Sequence, residues 1–156
     1  MDSVRARRIF PFTVALVFLS AMLLILTVRA QVIAEPWTIA QTVQPADLQK
    51  ELTGKNPPMV LFVGFQRLYN AGHIKGAQYH GTGANAEGVA EIKKWADPLP
   101  RSTNLVIYCG CCPMMHCPNL RPAFSALKEM GFTHLRVLIL PSSFAIDWAE
   151  KGLPYQ

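Results

Sequence analysis

Three apolar runs constrain this chain more than anything else in it. Met59–Phe65 (MVLFVGF), Asn104–Cys109 (NLVIYC) and His134–Leu140 (HLRVLIL) carry almost no polar alternation. A strand with one wet face alternates apolar and polar residues, so runs like these predict strands buried on both faces. The segments between them read as helices. Ala86–Asp97 places Val89, Ile92 and Trp95–Ala96 on one side and stops before Pro98 and Pro100. Asn119–Phe132 is a second helix, with Gly131 as its C-terminal stop and Pro122 tolerated in its first turn. Thr42–Leu52 forms a short helix with Pro45 near its start, and Ser142–Pro154 gives a last one after Pro141. A fourth short strand is placed at Ala77–His80. Strands alternating with helices predict an α/β fold, a central mostly parallel sheet with helices on both faces.

The front of the chain has a different character. Arg5, Arg7 and Arg8 precede a stretch without charge from Ile9 to Val28, and small residues follow at Ala30 and Ala34. This is the layout of a signal peptide; its length of about 20 residues also suffices for an N-terminal membrane anchor. Both readings of residues 1–30 put the arginines on the cytoplasmic side and export the rest, to the periplasmic or extracellular side. Membrane contact then follows only if the leader is uncleaved. Residues 31–44 read as a polar lead-in and 45–156 as the exported domain. The net charge of +5 loses Arg5, Arg7, Arg8 and Arg29 against Asp2 when the leader is set aside, which leaves +2. With no basic stripe and no interleaved aromatics, nucleic acid is excluded as a partner.

All four cysteines, Cys109, Cys111, Cys112 and Cys117, lie within nine residues (CGCCPMMHC). Framework disulfides staple distant parts of a chain, whereas these would close only very short loops. A domain of this length buries a core without them. The cluster therefore points to chemistry, although a Cys112–Cys117 disulfide fits an oxidising compartment.

The order of pieces resembles the rhodanese-like domain, a sulfurtransferase family. AGHIKGA at Ala71–Ala77 is similar to a signature of that family, and LVIYC followed by a loop and a helix ending LKEMGF matches its second half. Trp148, Gly152 and Pro154 fall where the family places its closing Trp, Gly and Pro. The cysteine-rich YCGCC…CPN.RPAF loop resembles that of an exported bacterial subgroup. The resemblance covers roughly Pro45 to Pro154. It implies a nucleophilic cysteine at the end of the central strand, here Cys109, that carries a persulfide between a small sulfur donor such as thiosulfate and a thiol acceptor. Two departures stand out. The Asp–Arg pair usual after the first strand is replaced by Gly64 and Phe65, with Arg67 the one basic counterpart. The loop is also about twice the usual length.

A thiolate is favoured where backbone N–H groups and a helix N-terminus converge, because both stabilise an anion. Asn119 is read as the N-cap of the following helix. Arg121, Gly110 and Arg67 are the candidate substrate-binding residues, Arg121 for its charge beside an anionic donor. Cys111, Cys112 and Cys117 are candidate resolving or relay thiols, with a periplasmic redox partner then implied. No cofactor is expected in this reading. The alternative is zinc or copper held by Cys109, Cys111, Cys112, His116 and Cys117, since soft thiolates and an imidazole suit both ions. A third reading is a partner-binding domain on an inactive scaffold. His73, Gly72 and Gly76 read as structural, Trp95 and Trp148 as covers for the sheet, and His80 and His134 carry no motif.

Overall fold

The computed structural model describes residues 35–156; the leader reading of residues 1–30 lies outside them. Five strands form one sheet in the order β1-β5-β4-β2-β3, every pair parallel. They are β1 (Thr42–Val43), β2 (Met59–Phe62), β3 (Gln78–Tyr79), β4 (Leu105–Tyr108) and β5 (Leu135–Leu138). The helices are α1 (Pro45–Leu52), α2 (Gln66–Ala71), α3 (Ala86–Ala96), α4 (Leu120–Glu129) and α5 (Phe144–Asp147). Strand β4 is central and all four of its residues are buried, as its unbroken apolar run requires. Among the described residues no helix is long and apolar enough to cross a membrane.

The two faces of the sheet bury separate cores. On one face α3 and α4 set Ile92, Ala123, Phe124 and Leu127 against Leu61, Ile107 and Val137. Of the five buried positions of α4, Leu120, Ala123, Phe124 and Leu127 recur at the spacing of one helical face, with Ala126 beside them. On the other face Leu48 of α1 and Trp148 pack against Val60, Phe62, Val106 and Tyr108.

Four details depart from the sequence reading. The segment 35–44, expected as a lead-in, is part of the packed unit. Trp37 is buried edge-on against Phe124, with ring centroids 5.4 Å apart, and Thr42–Val43 pairs with β5. A two-residue edge strand in polar surroundings leaves no periodic signal. Helix α2, in a segment around Tyr69 to which the sequence assigned no element, is only 6 residues long. The expected helix through Ser142–Pro154 is broken after Asp147, because Trp148 turns into the core and donates its indole N–H to the Pro154 carbonyl at 3.0 Å. Of the two glycines of AGHIKGA, Gly76 takes φ +84°, which only glycine adopts cheaply. Gly72 is extended, with room for a side chain.

The signature residues close the fold. His73 and Gln156 exchange both backbone hydrogen bonds at 2.9 Å, and Ile74 bridges antiparallel to Tyr155. The Ile74 N–H donates at 2.9 Å to the buried Tyr108 hydroxyl. His73 stacks on Tyr69 and bonds its carbonyl through Nδ1, so it is committed to the fold as expected.

Candidate functional site

In a parallel sheet the carboxyl ends of the strands hold the ligand crevice. Cys109 follows β4 directly and points to the face covered by α3 and α4, opposite to Tyr108. It is 1% exposed. Its Sγ lies 3.0 Å from Cys111 Sγ, and Cys111 Sγ lies 3.3 Å from Cys112 Sγ. Cys109, Cys111 and Cys117 have their sulfurs within 4.8 Å of one another. All four thiols are free, so the Cys112–Cys117 disulfide considered from sequence is not formed.

The loop turns at Gly110 with φ +70°. A Cβ there would stand 2.6 Å from Cβ of Phe144, whose N–H donates to the Gly110 carbonyl at 3.0 Å. Gly110 thus serves as a joint between the cysteine loop and α5. Its backbone does what only glycine permits.

Asn119 does not cap α4 with its side chain. It is fully buried, accepts from the Thr82 hydroxyl at 2.6 Å, and donates Nδ2 to Cys109 Sγ at 3.3 Å, with Cys111 Sγ at 3.7 Å and Cys117 Sγ at 4.0 Å. The close approach that permits this is visible at Gly83, where a Cβ would overlap the Asn119 carbonyl at 1.9 Å. Sequence reasoning missed both Thr82 and this use of Asn119. The available signal was the glycine pair flanking Thr82, since glycines in a connection mark places where backbones touch.

The thiols share their protons. The neighbouring Cys109 thiol, together with the N–H groups of Asn119 and Leu120 at the start of α4, pulls the Cys117 thiol down to about 5. Cys117 beside it, and then burial, push the Cys109 thiol up. Burial and the bond to Cys111 push Cys112 up to about 12. The start of α4 therefore favours charge on the Cys117 sulfur, next to the sulfur that ends β4.

The remaining candidates are placed elsewhere. Arg121 is clamped by Glu35 and donates to the carbonyls of Cys117 at 3.2 Å and Met115 at 3.1 Å, so it braces the loop from behind. Arg67 is exposed on α2. His116 is exposed and does not join the sulfur cluster, which removes the imidazole from the metal set named from sequence. At Gly64, the position left without an acid, a Cβ would meet the Phe62 ring at 2.5 Å and Cys109 Sγ at 3.1 Å. The thiol and a ring occupy the space a carboxylate would need.

A cleft of about 330 Å³ opens beside the cluster, with Cys109, Gly110 and Cys111 in its wall. The solution structure of the rhodanese-like domain of Alr3790 from Anabaena sp. superposes with a TM-score of 0.55 at 22% identity, over 74% of this chain and 78% of that one. The fold is rhodanese-like. A crystal structure of Alr3790 gives the same TM-score over 73% of this chain and 90% of its own. Thiosulfate sulfurtransferase from Pseudomonas aeruginosa matches with a TM-score of 0.52 at 20% identity, over 74% of this chain but only 19% of that protein. Identities this low establish the fold alone. No protein-family model matches the chain, and no curated protein matches it.

Proposed function

We propose that this rhodanese-like domain is a sulfurtransferase in which Cys109 carries the transferred sulfur as a persulfide. One observation carries the reading: a cysteine at the carboxyl end of the central strand lies in the wall of a cleft, with the Asn119 side-chain N–H donating to its sulfur at 3.3 Å. The thiolate of Cys109 attacks the outer sulfur of a sulfane donor. A bond forms between the two sulfurs, the donor's S–S bond breaks, and its electron pair leaves with the remainder of the donor. The proton Cys109 gives up leaves with that remainder. A thiol acceptor then takes the sulfur by the reverse exchange. Cys111, whose Sγ lies 3.0 Å away, is the first relay thiol in this reading. The leader, read as an export signal, assigns this chemistry to the far side of a membrane, where a redox partner would keep the thiols reduced.

The test is the intact mass of the reduced full chain after inorganic polysulfide. The expected result is the gain of one sulfur atom, discharged by cyanide and absent in Cys109→Ser. Equal gain by wild type and variant would overturn the assignment of Cys109.

A second reading has one observation in its favour. Three sulfurs within 4.8 Å of one another match the donor set of a thiophilic ion, copper(I) or zinc. It predicts one ion per chain after mild purification, lost in Cys117→Ser, with no sulfur uptake.

A further inference from the structure

The cleft beside Cys109 is chemically one-sided. Its walls include Phe62, Leu68, Ala71, Phe144, Ala145 and Tyr155, and among the described residues none that lines it has an acidic or basic side chain of the Asp, Glu, Lys, Arg or His type. Four backbone donors at its α5 rim are already used. Ser142 N–H and Ser143 N–H both bond the Asp147 carboxylate, at 2.7 and 3.0 Å. Ile146 N–H bonds Ser143 Oγ at 3.2 Å, and Phe144 N–H bonds the Gly110 carbonyl at 3.0 Å. The two arginines that would serve an anion are absent from the lining: Arg121 is held by Glu35 and loop carbonyls, and Arg67 is exposed on α2. The nearest fixed charge on α5 is the carboxylate of Asp147.

A doubly charged donor entering here gives up hydration and meets no counter-charge, which is unfavourable. An apolar group entering here covers phenyl and methyl surface, which is favourable. Resting on the persulfide reading, we infer that the donor is the hydropersulfide of an apolar organic thiol, R–S–SH, bound with R against Phe62, Phe144 and Tyr155, and that thiosulfate is a poor substrate. The step balances without an outside oxidant or reductant. Cys109 sulfur bonds the terminal sulfur of R–S–SH, the R–S–SH sulfur–sulfur bond breaks, and the electron pair leaves as R–S⁻, which takes up a proton to become R–SH. Cys109 is left as Cys–S–SH.

The experiment compares initial rates of sulfur gain by intact mass for the full chain with benzyl hydropersulfide and with thiosulfate, at equal concentrations. Cys109→Ser serves as the blank for reaction at other thiols, and Ala145→Arg sets a cation into the cleft wall. Loading of Cys109 is expected to be at least about tenfold faster from benzyl hydropersulfide, with Ala145→Arg moving the ratio toward thiosulfate. Loading from thiosulfate at an equal or higher rate overturns the donor class and leaves the persulfide reading standing. Wild type indistinguishable from Cys109→Ser with both donors overturns the two together.

Discussion

Tyr108 and Asn119 are both buried polar side chains at the carboxyl end of β4, one on each face of the sheet, and their surroundings differ in kind. The Tyr108 hydroxyl accepts one backbone N–H, and its ring packs edge-on against Phe62 at 5.2 Å between centroids. Around it, Trp148, His73 and Gln156 make further N–H···O bonds between groups that do not change charge. Burial pushes the Tyr108 phenol further out of the titrating range. Asn119 has one oxygen partner, Thr82, and aims its N–H groups at sulfur. A thiol is a weak acceptor and a thiolate or persulfide a strong one, so these bonds strengthen when charge appears. One face is a clasp whose bonds are complete at rest. The other keeps donors in reserve for a charged sulfur.

The sharpest way to break this contrast is to attack the clasp. Trp148 is fully buried, and Trp148→Ala is expected to cost about 3–5 kcal/mol of stability in denaturant unfolding. Sulfur loading per folded molecule should be unchanged. A loss below about 1 kcal/mol, or a loading defect in protein that remains folded, would mean that the clasp is not a purely structural device.

The matched pair comes next. Tyr108→Phe strands the buried Ile74 N–H and is expected to cost about 1–3 kcal/mol. Its loading rate should stay within about twofold of wild type, since no charged state is touched. Asn119→Ala removes the donor to Cys109 and is expected to slow loading by about tenfold, the worth of one charge-assisted hydrogen bond. Equal loading rates in the two variants would show that Asn119 is as structural as Tyr108.

The legibility of the molecule divides along the same line. The clasp and the sheet were readable because they depend on residue type and period: LVIYC must be a buried strand, and GHIKGA must turn at Gly76. The all-parallel sheet and its two covered faces follow from the apolar runs. The reacting side was readable only in outline. Cysteine spacing marks Cys109 and its neighbours as a cluster, yet which thiols face each other depends on where the loop turns at Gly110 and on how closely Gly83 meets α4. Arg121 illustrates the limit: its charge was visible in the sequence, but its partner Glu35 stands 86 residues away. Asn119 does so too, since a residue good at capping helices was used to touch sulfur instead. Strand β1 and helix α2 were invisible because they are too short to show a period.

The smallest effect belongs to the opposite end of the sheet, where neither clasp nor chemistry is involved. Arg136 donates to both Glu51 carboxylate oxygens and to Asn104 Oδ1, which lowers the Glu51 carboxyl from 4.5 despite partial burial. A carboxyl whose folded value is depressed contributes stability that is present above its unfolded value and lost as pH falls through the folded one. Side-chain exposures of 22% and 35% leave the pair largely screened, so its contribution is expected to stay below about 1 kcal/mol. Glu51→Gln should therefore be slightly less stable than wild type from pH 5 to 7 and converge with it as pH drops below about 4, while loading of Cys109 is the same in both. Stability curves that remain parallel down to pH 3 would mean that the ion pair contributes nothing, and the far end of the sheet would then be held by Leu135 and Val137 packing alone.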